Sequence, residues 1–203
     1  MIIAVCNQKG GVSKTTTAFN TGAALAERGH NVCFWDTDTE QCDLHHLATS
    51  AGFSCFVPTP FNLSSQIANI QADFHLIDTP PRDDAAMRRA LSIADFALVT
   101  VPVEYLTIRG WTRLYQSITA SQTSNSTLIL KSVVTMYSPN FRAEKDQLRS
   151  LKGFSFCNTV LPRNKVVSES PAHGLSVLEY APRSQSARAY RSLAKEIEKW
   201  NQL

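Results

Sequence analysis

The segment KGGVSKTT, residues 9–16, is the most informative stretch of this sequence. It follows the short apolar run Ile2–Cys6 and precedes a helix-like stretch, residues 15–28, which Gly29 would stop. Glycines allow successive backbone N–H groups to turn toward one anion, and a helix N-terminus adds a partial positive charge at the same place. A strand, this loop and a helix in that order therefore predict a phosphate-binding loop, and a glycine-rich turn without a ligand is the weaker alternative.

Two side chains at the end of this loop have the chemistry that a nucleotide triphosphate requires. Lys14 can reach the β- and γ-phosphates, and the hydroxyl of Thr15 can ligate Mg²⁺. The predicted nucleotide-binding residues of the loop are Lys9, Gly10, Gly11, Val12, Ser13, Lys14, Thr15 and Thr16.

Short apolar runs alternate with helix-like segments along the chain. The predicted strands are residues 2–6, 31–35, 74–77, 96–101, 128–135 and 154–160, and the predicted helices are 15–28, 83–93, 107–121, 142–151 and 186–200. Continuous apolar strands that alternate with helices indicate an α/β fold, a mostly parallel sheet with helices on both faces and a P-loop NTPase architecture. Neither an internal repeat nor a low-complexity linker interrupts the pattern, so we expect a single domain over residues 1–203.

Acidic residues follow two of the predicted strands. Asp36 and Asp38 end the second strand, and Asp78 ends the apolar run of residues 74–77. Ligands of such sheets bind beyond the carboxyl ends of the strands, so all three carboxylates are expected near the phosphates. Asp78 fits a strand-end carboxylate that holds Mg²⁺ through water. Helix capping is the alternative role of Asp38.

Composition sets limits but does not identify a function. The 203 residues are 43% apolar and 18% charged, which is ordinary for a globular domain, and the net charge of +3 is too small to indicate nucleic-acid binding by itself. The five cysteines form no C-x-x-C pair and no zinc-binding spacing, so we expect reduced thiols and a cytoplasmic location.

The loop resembles the deviant Walker A motif, K-G-G-x-x-K-[ST], of the ParA/MinD family of P-loop ATPases, most closely that of the small, Soj-type partitioning proteins. The ordinary P-loop has glycine where this chain has Gln8 and Ser13. The family's D-x-D-P-Q segment is matched at Asp36 and Asp38, with Thr39 and Glu40 in place of Pro and Gln. Further similar segments are residues 101–103, 134–137, 159–174 and 181–190.

The resemblance implies an ATPase with ATP and Mg²⁺ as cofactors. In such proteins the lysine matched by Lys9 crosses a dimer interface to the partner's nucleotide, and the residue matched by Asp38 positions the attacking water. Lys9, Lys14 and Asp38 are therefore the predicted catalytic residues. Predicted metal-binding residues are Thr15, Asp36 and Asp78, and a turn formed by Pro162, Arg163 and Asn164 is predicted to contact the adenine.

The last predicted helix carries a basic stripe. Arg188, Arg191, Lys195 and Lys199 are spaced by three, four and four residues, so they share one helix face. Such a stripe suits contact with DNA phosphates without reading of sequence. A solvated face is the alternative, since Glu196 and Glu198 dilute the charge. The predicted DNA-binding residues are Lys165, Arg183, Arg188, Arg191 and Lys195.

Together, motif and resemblance predict a cytoplasmic, nucleoid-associated ATPase. Its ATP-bound homodimer would bind double-stranded DNA non-specifically, and a ParB-like or other adaptor would stimulate hydrolysis and release it, thereby positioning a plasmid, a chromosome or an organelle such as a carboxysome. The alternatives are a membrane-cycling regulator of the MinD type and a metal-cluster carrier. The short, mixed-charge C-terminal segment and the lack of a C-x-x-C pair disfavour them.

Overall fold

The structure is a computed structural model, and it describes residues 1–82, 85–103, 115–116, 118–120, 123–149 and 155–200. Its strands are β1 (Ile2–Cys6), β2 (Val32–Asp36), β3 (Cys55–Phe56), β4 (Phe74–Asp78), β5 (Phe96–Pro102), β6 (Ile129–Tyr137) and β7 (Phe156–Pro162). Its helices are α1 (Lys14–Glu27), α2 (Asp43–Ser50), α3 (Leu63–Asn69), α4 (Ala85–Ile93), α5 (Arg142–Arg149), α6 (Lys165–Glu169), α7 (Val177–Tyr180) and α8 (Gln185–Trp200).

The strands form one sheet in the order β3-β2-β4-β1-β5-β6-β7, and every neighbouring pair is parallel. The three central strands β1, β4 and β5 are almost entirely buried, which explains their unbroken apolar sequences. The predicted α/β fold with a mostly parallel sheet is therefore confirmed.

Helices cover both faces of the sheet because successive strand residues face opposite sides. On one face Ile3 and Val5 of β1 join a core with α1, α2 and α8. On the other, Ala4 and Cys6 join a core with α3 and α4. Helix α1 approaches β2 especially closely, since a Cβ atom at Gly22 would lie 2.2 Å from a ring carbon of Phe34.

Most predicted elements occur with shifted ends, and five of the elements given above were missed. Helix α1 begins one residue before the predicted start, and β7 covers residues 156–162 rather than 154–160. The apolar pattern predicts no element in residues 39–73, where α2, β3 and α3 lie, or in residues 161–185, where α6 and α7 lie. The helix predicted over residues 107–121 lies largely outside the described residues.

Hydrogen bonds link the carboxyl ends of β1, β2 and β4. The N–H and hydroxyl of Thr37 donate to the Asp78 carbonyl over 3.1 and 2.6 Å, and those of Thr79 donate to the Val5 carbonyl over 3.3 and 3.0 Å. The loops that follow β2 and β4 are thus held beside the loop after β1.

Among the helices that the structure describes, we find none with the length and apolarity to cross a membrane.

Candidate functional site

The loop between β1 and α1 has the backbone geometry of an anion cradle. Gly11 and Ser13 both have left-handed conformations, with φ of 71° and 67°, and α1 begins immediately afterwards at Lys14. The side chain of Asn7 anchors the start of the loop, because its Nδ2 donates to the Thr100 carbonyl over 2.7 Å and its Oδ1 accepts from the N–H of Lys9 over 3.0 Å. The loop is therefore shaped and fixed before any ligand arrives.

Lys14 is the cation of this cradle. Its side chain is buried, and its Nζ donates to the Lys9 carbonyl over 3.1 Å, within the loop itself. Burial lowers the pKa of Lys14, whereas the nearby carboxylates Asp78 and Asp38 raise it. A desolvated ammonium group interacts strongly with an anion, so Lys14 is well placed to bind a phosphate.

Thr15 and Asp78 form a pair that fits a hydrated magnesium ion. The hydroxyl of Thr15 donates to Oδ2 of Asp78 over 2.5 Å, and Asp78 is only 1% exposed. Its other oxygen, Oδ1, is buried and has no hydrogen-bond partner among the described residues. Burial raises the pKa of Asp78, helped by Asp36, while the Thr15 hydrogen bond and Lys14 lower it. An unpartnered buried carboxylate oxygen is costly unless a ligand or water supplies the missing contact.

Asp36 and Asp38, which end the second predicted strand, lie in different surroundings. Asp36 is fully buried at the end of β2, where its two oxygens accept the N–H groups of Asp38 and His45 over 3.0 and 2.9 Å. Asp36 thus orders the loop and the first turn of α2, while its role as a metal-binding residue stays a prediction. Strand β2 ends before Asp38, so the alternation of a regular strand does not extend to it.

Asp38 is the partly exposed carboxylate of the two. Its charge lies close enough to Lys14 and Asp78 to raise the pKa of both side chains. Cys42 precedes α2 and makes no side-chain cap hydrogen bond, and the carboxylate that accepts an N–H group of the first turn is that of Asp36 rather than Asp38. The capping alternative is therefore excluded, and the water-positioning role of Asp38 remains a prediction.

Ser13 occupies a conformation that suits glycine better, at φ 67° and ψ 28°. A left-handed conformation costs a non-glycine residue about 1–2 kcal/mol, part of which is offset by the greater freedom of glycine in the unfolded chain. We therefore expect Ser13→Gly to raise the free energy of unfolding by about 0.5–1 kcal/mol in urea denaturation.

The control for this prediction is Ser192→Gly on the exposed side of α8, which should lower the same free energy by about 0.5 kcal/mol. Equal effects of the two substitutions, or a destabilised Ser13→Gly protein, would show that the loop is not strained at this position.

A cleft of about 290 Å³ opens beside the phosphate loop. Ser13 and Thr16 line one side of it, and the predicted adenine-contacting turn, Pro162 to Asn164, lines another. Its remaining walls come from the end of β6, from the chain that follows β7 and from Tyr190 of α8: Thr135, Met136, Leu161, Val167, Ser168, Pro171 and Tyr190. The cleft thus brings together two motifs that lie about 150 residues apart in the sequence.

A family profile matches residues 3–177 of this chain, and its description is CobQ/CobB/MinD/ParA nucleotide binding domain. The chain belongs to this family. The Soj sporulation initiation inhibitor of Bacillus subtilis is 30% identical to it in an alignment that covers 97% of each chain. The chromosome-partitioning ATPase Soj of Thermus thermophilus is 30% identical over 96% of this chain and 94% of its own.

Solved structures of low sequence identity share the fold of this CobQ/CobB/MinD/ParA family member. A cobyrinic acid a,c-diamide synthase from Mycobacterium smegmatis, with bound ATP analogue and magnesium, is 23% identical with a TM-score of 0.80, covering 98% of this chain and 94% of its own. MinD from Pyrococcus horikoshii, complexed with Mg-ADP, is 22% identical with a TM-score of 0.78, covering 98% and 96%.

The basic stripe of this family member lies on the outer face of α8. The opposite face packs into the core through Ala187, Tyr190, Leu193, Ala194, Ile197 and Trp200, whereas Arg188, Lys195 and Lys199 are exposed. The acidic residues that were expected to dilute the stripe are engaged elsewhere. Glu196 accepts the N–H groups of Asn158 and Thr159, and Glu198 binds Arg28 and His30.

The predicted DNA-binding residues are not equivalent in the structure. Arg191 forms two hydrogen bonds of 2.6 and 2.7 Å with the Glu27 carboxylate, which neutralises its charge locally. Arg188 donates to the carbonyl of Arg183 over 2.9 Å and keeps its full charge, because its partner is neutral. Lys165 lies on α6 and pairs with Glu169 at 3.0 Å. Arg183, Arg188 and Lys195 are exposed, and none of the three pairs with a carboxylate of the residues that the structure describes.

Proposed function

We propose that this protein is a partitioning ATPase of the ParA type, which binds ATP with Mg²⁺ and hydrolyses it to ADP and phosphate. The observation that carries the proposal is the cluster of Lys14, Thr15 and Asp78 beside a cleft of nucleoside size. The names of its relatives, Soj and ParA, describe chromosome-partitioning proteins and support the same activity.

Each residue of the site has a role in hydrolysis that follows from its position. Lys14 and the loop N–H groups bind the β- and γ-phosphates and stabilise the charge that develops on them. Thr15 and Asp78 would hold the magnesium ion, which supplies further charge neutralisation when it is bound. Asp38 orients a water molecule whose oxygen attacks the γ-phosphorus, and the bond from that phosphorus to the β,γ-bridging oxygen breaks. The proton of the water passes to the released phosphate or to solvent.

ATP would also join two copies of the chain. Lys9 stands five residues before Lys14 on the near side of the glycine turn, and its carbonyl accepts the Nζ of Lys14 over 3.1 Å, so both lysines belong to the phosphate loop. We infer that Lys9 reaches the phosphates of a partner molecule. Two α8 stripes would then contact one DNA duplex together, which multiplies the affinity.

Removal of Lys9 tests this dimer switch. Lys9→Ala should retain ATP binding but lose the ATP-dependent doubling of mass in light scattering, and its affinity for double-stranded DNA in the presence of ATP should fall at least about tenfold. Lys131→Ala, a lysine that bonds Ser155 far from the loop in the sequence, is the control and should behave as wild type. If Lys9→Ala still dimerises with ATP, or if wild type binds DNA equally well without nucleotide, the switch is wrong.

Charge reversal on α8 tests the DNA interface separately. The Arg188→Glu/Lys195→Glu protein should still dimerise with ATP but should lose DNA binding, and the slope of log affinity against log salt concentration should fall by about two per monomer. Arg191 is left unchanged because a glutamate there would face Glu27 and destabilise the fold.

The matched control reverses two cations away from α8, as Lys131→Glu/Arg142→Glu, and leaves the pair of Lys145 with Asp146 intact. Loss of DNA binding in that protein too would show a general effect of net charge rather than an α8 interface.

An adaptor protein that stimulates hydrolysis, and a cargo that it carries, complete the proposal. Since its relatives act in chromosome partitioning, a chromosome or plasmid region bound by a ParB-like protein is the cargo class we propose. Affinity capture with ATP-bound, hydrolysis-deficient protein would identify the adaptor.

The alternative function, a membrane-cycling regulator of the MinD type, needs an apolar helix face that can enter the membrane. The apolar face of α8 is already buried in the core, where the ring of Trp200 packs 4.9 Å from that of Phe96.

A further inference from the structure

The end of strand β6 is distorted where it borders the nucleoside cleft. Thr135 and Met136 are consecutive residues, yet both line the cleft, whereas neighbours in a regular strand face opposite sides. The register explains how this happens. Val134 pairs with Val160 and Tyr137 pairs with Pro162, so β6 contains one more residue than β7 between the two pairs, and Met136 adopts a φ of 53°. A bulge of this kind re-aims side chains, and here it turns two of them to one cavity.

The hydroxyl of Thr135 lacks a partner at this bulge. Thr135 is 1% exposed, and its Oγ1 makes no hydrogen bond to any residue that the structure describes. Two other polar groups that line the cleft are already engaged: Asn164 Oδ1 accepts the N–H of Val166 over 3.3 Å, and the Arg163 N–H donates to the Tyr137 carbonyl over 2.8 Å. A buried hydroxyl without a partner is costly in the absence of ligand, and a strained backbone that holds it there adds to the cost.

We propose that Oγ1 of Thr135 accepts a hydrogen bond from the 6-amino group of a bound adenine and thereby sets the preference of the site for ATP. This inference rests on the proposed ATP binding. Ser13 and Thr16 of the phosphate loop open into the same cleft, so a nucleotide with its phosphates on the loop places its base here. A threonine hydroxyl can accept such a bond, and the Met136 thioether suits packing on the base. Sites that hydrogen-bond a ligand group discriminate strongly against analogues that lack it.

The test compares ATP with purine riboside 5′-triphosphate, which lacks the 6-amino group, and with inorganic tripolyphosphate, by calorimetry on the full chain. Wild type should bind ATP about tenfold more tightly than purine riboside triphosphate. Thr135→Val should abolish this preference by weakening ATP alone, and tripolyphosphate binding should be unchanged. Thr135→Ser, which keeps the hydroxyl, should restore most of the preference. Thr135→Val without nucleotide should melt no lower than wild type, because only an unpartnered hydroxyl is removed.

Thr100→Val is the matched control, since the hydroxyl of Thr100 in β5 is equally buried and has no partner in the described part of the chain, but it does not line the cleft. It should leave the preference for ATP unchanged. The inference is overturned if Thr135→Val weakens ATP and purine riboside triphosphate equally, or if it keeps the wild-type preference. Those results leave ATP binding itself intact, whereas a wild-type protein that binds neither ATP nor tripolyphosphate would overturn the proposed function as well.

Discussion

Lys14→Ala should weaken ATP binding about 100-fold or more in calorimetry, since truncation of one partner of a buried charge pair typically costs about 3 kcal/mol or more. In wild type the buried ammonium group of Lys14 lies in the loop, with Asp78 and Asp38 as its nearby carboxylates. In the Lys14→Ala protein, phosphates that enter the loop no longer meet this cation. The stabilisation of the fold by ATP, seen as a rise in melting temperature, should disappear with it.

Lys14→Met serves as the control for folding, because it keeps the apolar stem of the side chain and removes only the charge. Without ATP this protein should still melt in a single cooperative transition, so a loss of ATP binding can be told apart from a loss of the fold. An unchanged ATP affinity in either variant would rule out the phosphate-binding loop.

Asp38→Ala should reduce the rate of ATP hydrolysis at least about 100-fold while ATP affinity stays within about threefold of wild type. The expectation follows from phosphoryl transfer, in which orientation of the water contributes much of the acceleration and little of the binding. The variant should therefore accumulate as an ATP-bound dimer. Turnover is measured by phosphate release with saturating ATP and Mg²⁺, and mass by light scattering.

Asp43→Ala is the matched control, since Asp43 is an exposed carboxylate in the first turn of α2, directly after the loop that contains Asp38. It should hydrolyse ATP at the wild-type rate. Equal losses in both variants would indicate a disturbed loop, and a wild-type rate in Asp38→Ala would remove Asp38 from the mechanism.

The sequence by itself determined the phosphate loop, the parallel sheet and the basic stripe. These features depend on residues that are close in the chain: the glycines and Lys14 of the loop, the unbroken apolar strands and the regular spacing along α8. Local backbone geometry and helical periodicity follow from such patterns directly, and the structure places the loop and Asp78 at the carboxyl ends of β1 and β4 as expected.

Tertiary structure alone decided how the charges and the cleft are used. Asp36 and Asp38 look equivalent in sequence, but α2, which had no sequence signal, supplies an N–H group that binds Asp36 and leaves Asp38 partly exposed. The pairing of Arg191 with Glu27 likewise joins two helices. The nucleoside cleft forms only when segments around residues 13, 135, 163 and 190 come together beside the carboxyl ends of β6 and β7. Hydrogen bonds and ion pairs between distant segments depend on relative position in three dimensions, and neither periodicity nor composition encodes that position.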